Sequence, residues 1–352
     1  MEPTPAGTVR YGIIGTGMIA RMHAEAIQLV ENAELTAVYD TVGERARNFA
    51  LDFRADWEGD FDAFLAREDI DAVTVATPSG ARADMAIPAA RAGKHLLCEK
   101  PLEVTTERVD AIIEACWENN VILGCVFQSR MSRSVRHIRQ ALDSGRFGRL
   151  VMANVQVPWF RTQSYYDGSG WRGTWKLDGG GALMNQSIHI VDLLLHFMGE
   201  PESLCAYCDT LAHERIEVED TAVAAVRFKN RALATVTVTT GAAPGFPRRL
   251  EICGTQGSVV MTDDRLMRWQ FVDQNDADDA IFSDSVPSEG IQGGASDPAA
   301  IGCEGHRRQI EDLTQAILEG SQPAVSGVEA RRAVEFIRGI YQSAETGEMH
   351  VF

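Results

Sequence analysis

No apolar run in the chain approaches eighteen residues, so nothing in it reads as a membrane-spanning helix. Positive charge is scarce as well: 33 Lys and Arg stand against 50 Asp and Glu, a formal net charge of −17. That balance argues against general affinity for nucleic acid or an anionic membrane surface, although a local basic pocket stays open to an anionic substrate. Cysteine is sparse. The seven cysteines are odd in number and scattered through regular-looking segments, which implies reduced thiols in a cytoplasm rather than a disulfide framework. Cys205 and Cys208 form the one close pair; three apart in a strand-like run, they fall on opposite faces and read as buried structural thiols. Residues 1–7 lack a basic segment followed by an apolar one and read as a short disordered arm, not a secretory leader.

What the chain does have is alternation. Strand-like runs at 9–14, 35–39, 72–76, 95–98 and 121–126 are separated by helical patterns at 18–30, 44–53, 61–65, 81–92 and 106–119. In the first helix Met22, Ala26 and Leu29 mark the expected inner face. This rhythm predicts an α/β fold that opens with a doubly wound parallel sheet, a Rossmann domain. Beyond residue 127 the pattern becomes a helix at 135–144 and strands at 150–157, 204–208, 221–228, 232–239, 249–253, 257–261 and 265–271. Short turns join several of these, which predicts a large, mainly antiparallel sheet in an α+β domain. A helix at 182–198 interrupts it, and helices at 305–319 and 327–346 close the chain. Residues 273–303, acidic and rich in Gly and Ser, read as a long surface loop. At 352 residues the chain divides into domains at 1–127 and 128–352, with packing of the C-terminal helices back onto the first domain left open.

Three groups of residues point to chemistry. Gly15-x-Gly17-x-x-Ala20 follows the first strand; Gly15 permits the tight turn, and Gly17 lets the backbone approach a pyrophosphate at a helix that opens with Met18 and Ile19. Asp40 ends the second strand, where a carboxylate accepts from both ribose hydroxyls and repels a 2′-phosphate, so NAD is expected over NADP. Glu99-Lys100-Pro101 ends a later strand of the same sheet, beyond Thr77-Pro78. Lys100 is then either a surface lysine or an acid/base: desolvated beside a cationic nicotinamide, it would favour its neutral form and accept an alcohol proton. The third group is Gly179-Gly180-Gly181 leading into a helix on which Asn185 and His189, i and i+4, share a face toward a substrate. His189 is otherwise a core histidine. His189, Asp192 and His196 could also present metal ligands on one face, but hydride chemistry with a lysine needs none, and no metal is expected. Trp171 and Arg172 combine an apolar plate with a fork of donors suited to a sugar. Gln128 and Arg130 are further substrate candidates; Arg130, Arg133, Arg136 and Arg139 recur every three residues, as a solvated face, a subunit contact or a diphosphate site.

Taken in order and spacing, these groups resemble the glucose-fructose oxidoreductase / inositol dehydrogenase / MocA family from about residue 8 to the end, including Gly305-His306-Arg307-Arg308-Gln309. The resemblance implies an NAD(P)-dependent dehydrogenase of sugars, cyclic polyols or nucleotide sugars. It implies Lys100 as acid/base, the helical His189 beside it, a cofactor site formed by Gly15, Gly17, Met18, Ile19, Asp40, Thr77, Pro78, Glu99 and Lys100, and homodimers or homotetramers through the C-terminal sheet. Two positions depart from the pattern. Asn185 replaces a common aspartate, as in family members acting as sugar and nucleotide-sugar 3-dehydrogenases, and Arg82 replaces a common histidine.

The expected activity is therefore NAD-dependent oxidation of a secondary hydroxyl, C3 foremost, of a pyranose or glycoside, with Lys100 taking the hydroxyl proton and His189 assisting. Nucleotide-sugar or inositol dehydrogenase is the nearest alternative. A glycosidase of the same fold that oxidises its substrate transiently, and an NAD-sensing regulator without catalysis, are the others.

Overall fold

The structure, a computed structural model, describes residues 7–284 and 302–352; the rest of the expected arm (residues 1–6) and residues 285–301 of the expected loop lie outside them. The chain separates into two compact units, Met1–Gln128 with Cys303–Arg331, and Ser129–Gly302 with Arg332–Phe352.

In the first unit the elements run β1 (Val9–Ile14), α1 (Met18–Gln28), β2 (Ala33–Tyr39), α2 (Gly43–Phe53), β3 (Asp56–Glu58), α3 (Phe61–Leu65), β4 (Ala72–Val75), α4 (Arg82–Arg91), β5 (His95–Cys98), α5 (Thr106–Glu118) and β6 (Leu123–Cys125). All strand pairs are parallel, in the order β3-β2-β1-β4-β5-β6. The order reverses between β1 and β4, and ligands of open α/β sheets bind at such a switch point, beyond the carboxyl ends of the strands. The turn after β1, Thr77-Pro78 after β4 and Lys100 after β5 all sit at that end. One expectation is off by a position: Leu29 is exposed, whereas Ala20, His23, Ala24, Ala26 and Ile27 form the buried stripe of α1. A polar imidazole thus occupies a core position.

The second unit holds α6 (Arg133–Asp143), β7 (Leu150–Pro158), α7 (Gln163–Asp167), α8 (Ile188–Met198), β8 (Pro201–Asp209), β9 (Thr221–Phe228), β10 (Leu233–Thr239), β11 (Arg249–Gly254), β12 (Gly257–Thr262), β13 (Arg265–Phe271) and α9 (Asp276–Asp284). Helix α10 (Glu304–Glu319) then belongs to the first unit, where Ile310 and Leu313 join the core beneath α1. Helix α11 (Gly327–Thr346) and β14 (His350–Val351) end the chain. The eight strands order as β13-β12-β11-β7-β10-β9-β8-β14; only β7 and β10 pair in parallel. Every residue of α8 except His196 is buried, so this helix, buried on all sides, is a core element of its unit. The opposite face of the sheet is open, carrying exposed Cys205, Tyr207, Val223 and Leu233.

Two expectations need correcting here. Residues 276–284 are helix, not loop: Arg146 grips both oxygens of Asp278 at 2.6 and 2.9 Å and Trp269 Nε1 donates to Oδ1 at 2.6 Å, so anchoring at one carboxylate replaces the apolar periodicity the segment lacks. Cys205 is exposed and Cys208 half-buried, because β8 alternates between the core and the open face.

Candidate active site

Each unit contributes its own group of candidate residues. In the first, Gly15 has φ +90°, a conformation that suits glycine, and a Cβ there would press on Ala76 at 3.1 Å. A Cβ on Gly17 would meet nothing within 4 Å, and no side chain caps the start of α1. The amides of Met18 and Ile19 therefore open the helix toward free space, the setting for a phosphate. Thr77 Oγ1, at the end of β4, is buried without a hydrogen-bond partner. The glycine turn, the uncapped helix and this orphaned hydroxyl fit a dinucleotide.

Asp40 is 5% exposed and fully engaged. Its carboxylate accepts from Thr16 N (2.8 Å), Thr16 Oγ1 (2.9 Å), Val42 N (2.9 Å) and, bidentately, Arg45 Nε and Nη2 (3.0 and 2.7 Å). Burial pushes its pKa up, but Arg45 and the amides outweigh this and hold it below the usual carboxylate range. Arg45 is a partner the sequence reading did not foresee; it lies beyond the residues next to Asp40.

At the end of β5, Glu99 is 4% exposed. Its Oε2 accepts from the Lys100 main-chain N–H at 3.1 Å, and its Oε1 accepts from His23 Nε2 (3.0 Å) and His306 Nε2 (3.1 Å). Burial opposes ionisation, yet the imidazole donors win and hold Glu99 well below the usual range. The donor atoms of His23, Glu99 and His306 lie within 4.8 Å of one another, the one grouping of metal-like spacing among the described residues; hydrogen bonding accounts for it. Arg82, buried in the first turn of α4, donates to the carbonyls of Pro101 and Thr77. Lys100 itself is half-buried. Gln128 is half-buried too, with its Oε1 lacking a partner.

In the second unit, residues 182–187 form a π-helical turn, and α8 continues it. The expected α-helix at 182–198 is thus corrected in its first turn: the segment is π-helical through Ser187 and α-helical from Ile188. Asp178, 1% exposed, accepts from Gly173 N at 2.9 Å and from Asn185 Nδ2. Gln186 donates to Asn185 Oδ1 and to Tyr165 OH, both at 3.0 Å, and accepts from Arg161 Nε at 3.0 Å. His189 is 9% exposed. Glu219 accepts from Gly181 N (3.0 Å), Leu183 N (2.8 Å) and Tyr341 OH (3.0 Å); burial raises its pKa to about 7. The glycines before this turn face protein rather than open space: a Cβ on Gly181 would fall 2.1 Å from Glu219 O, and one on Gly180 2.0 Å from Tyr341 Oη.

The remaining candidates divide. Arg172 stacks 4.2 Å over the Tyr165 ring and reaches the Tyr165 carbonyl, with Trp171 beside it. Arg130 binds Asp192 through Nε (2.7 Å) and Nη2 (2.6 Å), both side chains buried, while Arg133 and Arg136 are exposed and Arg139 reaches Asp143 and the His196 carbonyl. The sequence reading missed Asp178, Glu219, Arg161, Gln186, His23 and His306. His306 lay within the run quoted above, and His23 one position from a residue assigned to the inner face.

Fold and turn chemistry together define an NAD-dependent oxidoreductase. The oxidoreductase family with an NAD-binding Rossmann fold matches residues 9–127, and the GFO/IDH/MocA C-terminal domain matches residues 135–260. The chain belongs to the GFO/IDH/MocA family. Among solved structures it is similar to the WlbA dehydrogenase from Bordetella pertussis in complex with NADH and UDP-GlcNAcA, at 33% identity, a TM-score of 0.90 and 99% coverage of both chains. Among curated proteins it is similar to myo-inositol 2-dehydrogenase of Thermotoga maritima, 28% identical over 73% of this chain and 79% of the relative. It is also 27% identical to levoglucosan dehydrogenase of Pseudarthrobacter phenanthrenivorans, over 73% and 74%. No helix among the described residues is long and apolar enough to cross a membrane.

Proposed function

We propose that the chain oxidises a secondary hydroxyl, at C3, of a pyranose carried on a nucleotide diphosphate, with Lys100 as the acid/base. The observation that carries this reading is the full-length likeness to an enzyme whose structure holds NADH and UDP-GlcNAcA, joined to a lysine at the switch-point end of a parallel sheet. Asn185, held by Asp178 where an aspartate is common, fits the same reading.

Gly15, Gly17, Met18, Ile19, Thr77 and Pro78 would hold the cofactor, and Asp40 its ribose. NAD, when bound, supplies the hydride acceptor. Lys100 removes the hydroxyl proton as the carbon becomes a carbonyl, and returns it in the reverse direction. Asn185 and His189 orient the sugar, with Trp171, Arg172 and Gln128 as further contacts. Arg130 is left out, since Asp192 takes both of its forward donors.

The alternating exposed face of β8, β9 and β10, with Tyr207 79% exposed, supports a homo-oligomer through that sheet. A charge such as Tyr207→Glu should shift the sedimentation coefficient toward the monomer.

The activity is tested by following NADH absorbance with UDP-GlcNAcA, free pyranosides, levoglucosan and myo-inositol in parallel. The expected result is NADH formation with the nucleotide sugar and a 3-keto product by NMR. NADH from myo-inositol alone would reassign the substrate, and glycoside cleavage without net NADH would favour the transient-oxidation glycosidase.

A further inference from the structure

Glu99 is a buried carboxylate with three donors from three parts of the first unit: His23 on α1, His306 on α10 and the Lys100 amide at the end of β5. Its Oε1 is shared between two imidazoles whose rings meet edge-on, 5.0 Å between centroids at 68°. An ionised carboxylate only accepts, so both Nε2 atoms carry their protons. Both Nδ1 atoms are buried without a hydrogen-bond partner, so each ring's one satisfied polar contact is the Nε2–H to Glu99. The nearby cation that bears on His23 is Arg82, and Glu99 is the leading anion acting on Arg82. Glu99 and Arg82 each grip one side of the triplet, Glu99 the Lys100 amide and Arg82 the Pro101 carbonyl.

A buried, hydrogen-bonded carboxylate is a weak source of stability compared with apolar packing. Its position suggests another use. Gly17, the residue that leaves room for a dinucleotide, caps the start of helix α1, and His23 sits on that helix.

We propose that His23 and His306 are positioning residues for the acid/base lysine: through the shared Glu99 carboxylate they fix the main chain of Lys100 and tie it to the helix that opens at the dinucleotide turn. The inference rests on the reading of Lys100 as acid/base.

The test uses the NAD-loaded protein. The chain has four lysines, Lys94, Lys100, Lys176 and Lys229, so the Lys100 side chain can be followed by 13C NMR against pH, assigned with Lys100→Met and needing no substrate. Turnover with UDP-GlcNAcA is measured alongside. His23→Leu and His306→Leu remove a donor; the Gln counterparts return an N–H near the Nε2 position. Both Leu variants should lower kcat by up to about 10²-fold, the scale of a 1 Å misplacement, with little change in KM, and should shift the Lys100 titration, as Glu99→Gln should by removing the anion at its amide. The Gln variants should recover most of both. Folded Leu variants with parental kcat and an unshifted Lys100 titration would reduce the triad to core packing and overturn the proposal. If the Leu variants do not fold, 15N NMR of the unmodified protein decides: protons on both Nε2 atoms support the proposal, and Nδ1–H on either ring overturns it. Parental turnover in Lys100→Met would instead sink the lysine reading, whatever the triad variants do.

Discussion

Glu99 and Glu219 are both buried glutamates that hold a backbone segment bearing a candidate residue, and they differ in charge state. Glu99 receives two imidazole N–H donors and an amide, and lies near the Arg82 guanidinium, so it stays ionised far below the usual range. Glu219 receives two amides and a phenol with no cation among its partners, and burial carries its pKa to about 7. Desolvation acts on both in the same direction; the donors and the nearby cation decide which form survives. A carboxylate beside the lysine keeps its charge, while the one beneath the π-helical turn sits near neutrality.

On the proposed reading the chemistry belongs to the first unit's site and shape to the second's, and Lys100→Met probes that division hardest. The variant should fold, bind NAD as before and lose about 10²-fold or more in kcat, whereas Glu219→Gln should retain turnover to within a few-fold at pH 6. Near-parental turnover in the lysine variant would move the chemistry elsewhere.

Glu219 supplies the next effect. Its folded pKa, about 7, lies above the ordinary 4.5, so the folded state holds the proton more tightly. The stability it contributes is complete below pH 4.5 and is lost as pH rises through 7, a swing of about 3 kcal/mol from the linkage of one pKa unit to about 1.4 kcal/mol. Glu219→Gln cannot ionise, so its Tm relative to the parent should climb between pH 5 and pH 8. A constant Tm difference across that range would show that Glu219 does not titrate as described.

The first unit was the more legible of the two because its pattern is local. Each βαβ step is a short apolar run followed by a helical period, and Gly15, Asp40 and Lys100 all fall at strand ends that such runs mark. What escaped was pairing across distance: Arg45 on Asp40, and His23 with His306 on Glu99, are separated by 5, 76 and 207 positions. The α1 stripe was also read around Leu29, and a histidine inside a core face carries no apolar signal. In the second unit the strands were legible by alternation, but a π turn has the same residues as an α turn. Asp178 and Glu219 looked like any other acidic residues until burial gave them backbone partners. Helix α9 lacked periodicity because one anchored aspartate holds it.

The cofactor site yields a smaller effect. Asp40→Ala removes the expected ribose contact and releases Arg45 from a bidentate pair, leaving a cation near the position of a 2′-phosphate. NAD affinity should fall about tenfold, the worth of a hydrogen bond to a charged group, and the preference over NADP should narrow. Binding titrations of both cofactors to parent and variant check this. Equal affinities in the parent would remove Asp40 from the discriminating role.

The smallest expected effect is that of metal removal. His189, Asp192 and His196 have a spacing that could present ligands on one helical face, but both oxygens of Asp192 are taken by Arg130 at 2.6 and 2.7 Å. Freeing that carboxylate for a cation would break the buried bidentate pair with Arg130, which costs several kcal/mol. Oxidation of an alcohol by NAD needs a base and a positioned hydride acceptor, and Lys100, in the proposed role, would provide the base beside the cofactor without a Lewis acid. Extensive chelation followed by elemental analysis should therefore leave turnover unchanged. His196→Gln, at the half-buried position of α8, should lower Tm more than kcat. Loss of activity on chelation, restored by stoichiometric zinc, would overturn the lysine mechanism and make the second unit, not the first, the seat of the chemistry.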